Sequence, residues 1–327
     1  MSRTGVFSDD HAGFDRPARR TRPRTKDRPD YSSKPIGRVM TIDRGRYRCD
    51  ADGVRVTATK ARQLGRTSVI VGDRVRLDGD LSGDDGTLAR IVDVVERTTV
   101  LRRTADDDDP YERPIVANAD QLVIVTALAD PPPRMVMIDR ILVAGYDAGI
   151  DPLLCLTKAD LASPSDLVGA YAPHDIPIVV VQPGADLTDL RSHLQGRVSV
   201  LIGHSGVGKS TLVNALIPGI DRATGDVNDV TGRGRHTSTS AIALELPPPG
   251  GWVIDTPGVR SFGLSHVTPA TVLAAFGDLA RYAQGCPRGC THRATEPECG
   301  LDQAVLDGRL TPDRLASFRR VQVEENR

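Results

Sequence analysis

The sequence predicts a multidomain α/β protein in which a small β-barrel, a mostly parallel β-sheet covered by helices and a helical, metal-stapled unit follow one another. Three observations predict it. Short β-type runs separated by glycine turns fill Pro35 to Val100, the pattern of a small closed barrel. Strand-like and helix-like runs alternate from Asp120 to Ile254, with one glycine-rich loop set between a strand and a helix, the pattern of a sheet with both faces covered. Three cysteines and a histidine gather between Cys286 and Cys299.

Composition narrows the class. The 327 residues are 39% hydrophobic and 26% charged, with a net charge of −1, enough chain for more than one core. No apolar run approaches the roughly 18 residues of a membrane span, and Met1 to Lys34 carries no apolar leader. The expectation is a cytoplasmic protein without a membrane partner. In a reducing compartment the cysteine cluster reads as a metal site rather than disulfides, and Cys49 and Cys155, set in predicted strands, read as plain buried residues.

Residues 1–34 are polar, and Arg16 to Arg28 holds six Arg and one Lys against one Asp. This is a disordered basic arm, either merely solvated or in contact with RNA phosphates. Residues 35–100 form the barrel, with strands expected at Ile36–Ile42, Tyr47–Asp50, Val54–Ala58, Ser68–Val71, Arg74–Leu77 and Leu88–Val95. A five-stranded oligonucleotide-binding barrel suits that size, with another small-barrel topology as the alternative. Thr99 to Asn118 reads as a connector whose acidic run, Asp106 to Asp109, is a solvated loop. Residues 101–264 make the α/β unit, with strands at Leu122–Ala127, Pro152–Leu156, Ile176–Val181, Arg197–Ile202, Ile242–Leu246 and Trp252–Ile254. Helices are expected over Ile138–Ala148, from Ser163 as cap with Pro164 in the first turn, and over Leu187–Leu194. Residues 265–327 turn helical: Thr268 to Tyr282, Leu301–Leu306 and Thr311 to Val323. Helices of this size bury little core alone, which makes a metal staple useful.

The chemistry concentrates in VSVLIGHSGVGKSTLVNA, Val198 to Ala215. Gly203, His204, Ser205, Gly206, Val207, Gly208, Lys209, Ser210 and Thr211 match the phosphate-binding loop G-x-x-x-x-G-K-[ST], with a strand before and a helix after. Its glycines let backbone N–H groups turn toward phosphate oxygens, and the helix N-terminus adds its dipole. Lys209 is expected on the β- and γ-phosphates and the Ser210 hydroxyl on magnesium. Asp255-Thr256-Pro257-Gly258 ends a later strand; Asp255 can hold magnesium through a water, and the Gly258 N–H can meet a γ-phosphate. Between them Asp221 to Ser240 is glycine-rich and short of apolar residues, a loop that γ-phosphate and magnesium would order. Thr237 or Thr239 would supply a second magnesium hydroxyl, and the spacing does not choose between them.

Thr157-Lys158-Ala159-Asp160 ends another strand. It is close to Asn-Lys-x-Asp, in which the Asp accepts hydrogen bonds from guanine N1–H and the 2-amino group, donors that adenine lacks. Lys158 would pack along the base. Thr157 stands where Asn is usual, and the missing amide is expected to cost some affinity while Asp160 keeps guanine selectivity. In most such GTPases the phosphate loop comes first; here Asp160 precedes Lys209. The sheet still closes if the chain is circularly permuted, with the usual ends joined between Ile176 and Val198. Movement of Val259 to Leu264 would then pull on the cysteine-bearing segment.

With these motifs in this order the sequence resembles the bacterial small-ribosomal-subunit-dependent GTPase family, RsgA, over about Pro35 to the C-terminus. The likeness includes Val71-Gly72-Asp73-Arg74-Val75 and Ala117-Asn118-Ala119-Asp120-Gln121 besides the motifs above. It implies an oligonucleotide-binding barrel, a circularly permuted P-loop GTPase unit and a C-terminal zinc unit, acting late in assembly of the small (30S) subunit as a monomer. Partners would be GTP, GDP and ribosomal RNA, with release on hydrolysis; the alternative is a non-switching RNA-binding protein that holds nucleotide structurally. The implied zinc ligands are Cys286, Cys290, His292 and Cys299, with intervening gaps of three, one and six residues where the family has four, one and five. Gln182-Pro183 falls where a Ser-Ala pair is usual, and Pro183 has no N–H for the base. Val259 follows Gly258 and no Gln lies near to orient water. His236 is the available polar group for that task, and the family points to the same histidine.

Overall fold

The computed structural model describes residues 30–65, 68–104, 112–220, 241–258, 263, 272–273 and 276–323. The basic arm before Asp30, the acidic run Asp106–Asp109 and the loop Asp221–Ser240, with His236, Thr237 and Thr239, lie outside the described residues.

Five strands, β1 (Ile36–Asp43), β2 (Arg46–Ala51), β3 (Val54–Lys60), β4 (Arg74–Gly79) and β5 (Ala89–Val94), close a barrel in the order β1-β2-β3-β5-β4. All neighbours are antiparallel except β3 and β5, which close it in parallel. Alternation sends Val39, Cys49, Val56, Ala58, Val75, Leu77 and Ile91 into the lumen. The run Ser68–Val71, expected as a strand, is not one: the Asp73 carboxylate accepts the Ile70 N–H at 2.8 Å and turns the chain, leaving only a bridge from Val71 to Val116. Thr99–Asn118 is more than a connector. It holds a hairpin-like pair, β6 (Val100–Arg103) and β7 (Arg113–Ala117), because Leu101 and Val116 are apolar and bury completely.

The α/β unit carries β8 (Gln121–Ala127), β9 (Asp151–Thr157), β10 (Ile178–Val180), β11 (Val198–Ile202), β12 (Ile242–Glu245) and β13 (Trp252–Asp255), in the order β10-β9-β8-β11-β13-β12. Every pair is parallel except β12 with β13. The phosphate-loop strand β11 is central, with the Asp255 strand on one side and the Asp160 strand two places away on the other. That is the spatial arrangement the permuted order requires. Leu122, Ile124, Leu154, Leu156, Val200 and Ile202 face α1 (Met135–Asp147). Val123, Val125, Leu153, Cys155 and Leu201 face α3 (Thr188–Leu194) and α4 (Lys209–Leu216). Strands covered on both faces are apolar throughout, as β8 and β11 are. Helix α2 (Ser165–Tyr171) starts one residue later than expected, with Pro164 in the cap position and the Ser163 hydroxyl accepting the Ser165 N–H at 3.3 Å.

The C-terminal helices α5 (Gly277–Ala283), α6 (Gly300–Leu306) and α7 (Pro312–Val323) do not form a separate core. Phe276, Leu279, Leu301, Leu315 and Phe318 join α1 in one cluster. Beneath them Asp139, fully buried, accepts from Arg320 at 2.7 Å, Tyr171 at 2.8 Å and Ser317 at 3.1 Å. Of the helix expected over Thr268 to Tyr282, residues 268–271 and 274–275 lie outside the described residues, and α5 forms its C-terminal part.

Among the described residues the barrel meets both the end of the β6–β7 pair and the sheet. Gly72 has φ +90° and approaches so closely that a Cβ there would lie 2.1 Å from the Ala117 carbonyl oxygen. Beside it Asn118 accepts the Thr98 N–H at 2.9 Å and donates to the Gly72 carbonyl at 3.1 Å. Second, the guanidinium groups of Arg38 and Arg55 pack on the Trp252 ring of β13, 5.5 and 5.6 Å from its centre. Among the described residues no helix is long and apolar enough to cross a membrane.

Candidate functional site

Strand β11 is buried along its whole length and delivers the chain to the C-terminal edge of the sheet, where Gly203–Gly208 curls into α4. The glycines are there for space and for backbone angle. A Cβ on Gly203 would meet the Val125 carbonyl at 2.1 Å, and Gly206 and Gly208 have φ of +81° and +94°, where L side chains are strained. Val207 anchors the loop in the core, while Ser205 and Gly206 are exposed at its tip. His204 turns its Nδ1 to the Ser205 carbonyl at 2.8 Å. Lys209 is buried, and its ammonium donates to the carbonyls of Gly203 at 2.7 Å and His204 at 3.2 Å. Burial pushes that ammonium down to about 8, a shift opposed by the nearby charge of Asp255. Ser210 and Thr211 follow in the first turn of α4.

Asp255 is buried and pairs in register with Leu201 of β11, which sets it beside the loop. The Thr256 hydroxyl, donating to the Leu201 carbonyl at 2.7 Å, pins the end of β13 there. Gly258 comes so near Ser205 that a Cβ would stand 3.0 Å from its Cα. Residues some fifty positions apart are thus in contact at one edge, as the motifs require.

On the other side β9 brings Thr157 to the same edge. Its hydroxyl donates to the Val207 carbonyl at 2.6 Å and lies 3.2 Å from the Thr126 carbonyl. Lys158, with φ +57°, directs its ammonium to the carbonyl of Asp130. Asp160 is exposed, as are Gln182 and Pro183. Two contacts escaped the sequence. Thr157 looks like a lost amide, yet its hydroxyl reaches the phosphate loop across a separation of 50 residues. Asp130 carries no motif at all. The only sequence signal was a hydroxyl-bearing residue at a strand end.

A second site lies between α5 and α6. The ligand atoms of Cys286, Cys290, His292 and Cys299 all fall within 4.8 Å of one another. His292 Nδ1 stands 3.4, 3.5 and 3.8 Å from the sulfurs of Cys286, Cys290 and Cys299. Tetrahedral metal–sulfur and metal–nitrogen bonds of about 2.3 and 2.0 Å place their donors roughly 3.5–3.8 Å apart, so this cluster could hold a metal ion. The short gap between the first two cysteines is met by a turn at Gly289, φ +84°, with Cys290 N–H on the Pro287 carbonyl at 3.1 Å. The Gly300 and His292 N–H groups donate to the sulfurs of Cys286 at 3.1 Å and Cys290 at 3.4 Å, and Arg319 holds the His292 carbonyl at 3.0 Å.

Both the sequence and the fold are similar to those of known proteins. Residues 94–265 match the profile of the RsgA GTPase family. The chain is 45% identical over 218 residues to the small ribosomal subunit biogenesis GTPase RsgA of Pseudomonas aeruginosa strain LESB58, covering 64% of this chain and 63% of that one. It is 39% identical over 263 residues to the protein of the same name in Azotobacter vinelandii, covering 78% and 74%. The match thus spans just under two thirds of the length of the Pseudomonas aeruginosa relative. Among solved structures, YjeQ from Thermotoga maritima superposes with a TM-score of 0.69 at 26% identity, over 90% of this chain and 99% of that one. YloQ, described as a circularly permuted GTPase, shares the fold with a TM-score of 0.66 at 24% identity, over 91% and 97%.

Proposed function

Since the chain belongs to the RsgA GTPase family, we propose that it binds GTP, hydrolyses it to GDP and phosphate, and uses that cycle in late maturation of the small ribosomal subunit. The observation that carries the reading is the convergence at one sheet edge of the loop Gly203–Thr211, Asp255 and Gly258, and the Thr157–Asp160 segment. In this reading 35–100 is the RNA-binding barrel, 101–264 the GTPase unit and 265–327 the zinc unit.

The loop N–H groups and Lys209 take the phosphates, and the exposed Asp160 takes the guanine edge. Ser210 and Asp255 would hold magnesium, with Thr237 or Thr239 as a further hydroxyl, and magnesium bound there would supply charge neutralisation. His236 orients the water that attacks the γ-phosphorus in line as the bond to the β-phosphate oxygen breaks. Docking on the subunit would bring in the loop that carries it, so turnover off the ribosome is slow. Three thiolates and an imidazole suit zinc rather than magnesium or calcium, and the role there is structural. Ribosomal RNA is the partner of the barrel, the basic arm and the zinc unit, and the protein acts as a cytoplasmic monomer.

The test is GTP turnover by purified protein, alone and with small subunits, against large subunits and ATP. Stimulation confined to GTP and small subunits is expected. Turnover indifferent to ribosomes leaves a GTPase with another partner. Nucleotide binding without turnover in any condition favours the alternative of an RNA-binding protein with structural nucleotide.

A further inference from the structure

We infer that α7, the last helix of the C-terminal unit, positions the segment Lys158–Asp160 through a buried polar chain, so that Arg320, Asp139 and Tyr171 set base selectivity without touching nucleotide. The inference rests on the GTP-binding reading above and deepens it. Lys158 and Asp160 lie in a loop between two anchors, the end of β9 at Thr157 and the start of α2 at Ser165. Strand β9 is fixed in the sheet by β8 and β10. Helix α2 has seven residues, too few to be stable by propensity. Its buried residues, Leu167 and Tyr171, hold it in the core shared with α1 and α7. The facing loop is anchored in the same way: Asp130, whose carbonyl takes the Lys158 ammonium, leads into α1.

The polar chain joins these anchors. The Tyr171 hydroxyl, at the end of α2, donates to Asp139 of α1 at 2.8 Å and sets the two helices, and so the two loops, against each other. Asp139 is fully buried. Burial pushes its carboxyl up, and the hydrogen bond and charge of Arg320 oppose that shift. An ionised carboxylate is the stronger acceptor, and a buried one needs a counter-charge. Arg320 of α7 supplies it at 2.7 Å, and Ser317 adds a hydrogen bond at 3.1 Å. The same helix reaches the turn that follows α2, where Arg314 donates to His174 Nδ1 at 2.6 Å. The anchor of the base-reading loop is thus completed from outside the α/β unit. The phosphate loop is anchored elsewhere, by β11 and by Val207 in the core on the opposite face of the sheet. Base binding and phosphate binding therefore separate.

The experiment compares GDP with ADP by competition binding to the full chain. ADP carries the same phosphates and neither of the base donors that Asp160 accepts. Tyr171→Phe removes the hydroxyl and keeps the ring. Arg320→Gln removes the counter-charge, and Asp139→Asn combined with Arg320→Gln leaves a neutral pair that can still hydrogen-bond. Cooperative thermal unfolding reports that each variant has folded. GDP affinity is expected to fall about fivefold in Tyr171→Phe and in Arg320→Gln, with ADP affinity within about twofold of wild type. The double variant is expected to recover GDP affinity to within about twofold of wild type. If Arg320→Gln does not fold, Tyr171→Phe and the double variant decide the question. An unchanged GDP affinity in Tyr171→Phe overturns the inference. So does a parallel loss of GDP and ADP, which would mark a general loss of structure, or a folded double variant no closer to wild type than Arg320→Gln. A wild-type protein that does not prefer GDP to ADP would instead sink the GTP-binding reading, and this inference with it.

Discussion

At the scale of single residues, the ammonium of Lys209 donates, among the described residues, to the backbone carbonyls of Gly203 and His204. Neutral carbonyls are a poorer shell than water, and burial depresses the group to about 8. Phosphate oxygens carry full charge and would raise it again. The sign follows from linkage. Below pH 8 the lysine is charged with or without ligand, so affinity is full. Above it the free protein has lost the proton that the complex keeps, and affinity falls by up to about tenfold per pH unit. Calorimetric titration with GDP at pH 8.5, in two buffers of different ionisation enthalpy, is expected to show uptake of roughly three quarters of a proton. No uptake would mean that Lys209 stays charged throughout.

Elements that would be marginal alone hold one another. Helix α6 has seven residues, and Cys299 occupies its cap position; a helix this short is not stable by propensity. The Cys/His cluster ties its start to the end of α5. Arg319 then ties the cluster to α7, pairing with Asp302 at 2.9 and 2.7 Å while it holds the His292 carbonyl. Helix α7 is anchored to α1 through Arg320 and Asp139, and Arg314 grips Asp278 at 2.9 and 2.7 Å. A metal bound to the folded cluster stabilises the fold by its own binding free energy. We expect one metal per chain by elemental analysis. Strong chelators and Cys299→Ser should each lower the thermal midpoint by at least several degrees. An unchanged midpoint after verified metal loss would show that shared core packing suffices without the staple.

Over the whole molecule, β13 links two interfaces. One end carries Trp252 against Arg38 and Arg55 of the barrel, and Arg55 also reaches Glu245 of β12 at 2.9 Å. The other end carries Asp255 and leads to Gly258 beside the phosphate loop. A shift of β13 with nucleotide state has to pass through the Trp252 stack or break it. Trp252 is the single tryptophan of the chain, so its emission reads that contact directly. Spectra with a non-hydrolysable GTP analogue and with GDP are expected to differ, and Arg38→Ala together with Arg55→Ala should remove most of the difference. Identical spectra in the two nucleotide states would mean that the barrel does not sense the switch.

The strands, the glycine loop and the Cys/His cluster were legible in the sequence because each has a local cause. Alternating or continuous apolar runs set the strands, Gly-x-x-x-x-Gly-Lys-Ser sets the turn from strand to helix, and the three cysteines and the histidine lie within fourteen residues of chain. The permutation was legible too, since motif order is a property of the chain. Other features depend on residues far apart. The turn at Asp73 replaces an expected strand because one carboxylate captures the Ile70 N–H, and the β6–β7 pair exists because Leu101 and Val116 find a shared core. The C-terminal helices share a core with α1 instead of standing on their own. Thr157 changes meaning for the same reason. Read along the chain it lacks an amide, but the sheet order sets its hydroxyl 2.6 Å from a carbonyl 50 residues away. Local pattern determined the parts and their chemistry, while tertiary structure decided which buried polar groups met, because a hydrogen bond between distant residues leaves no period or spacing in the sequence.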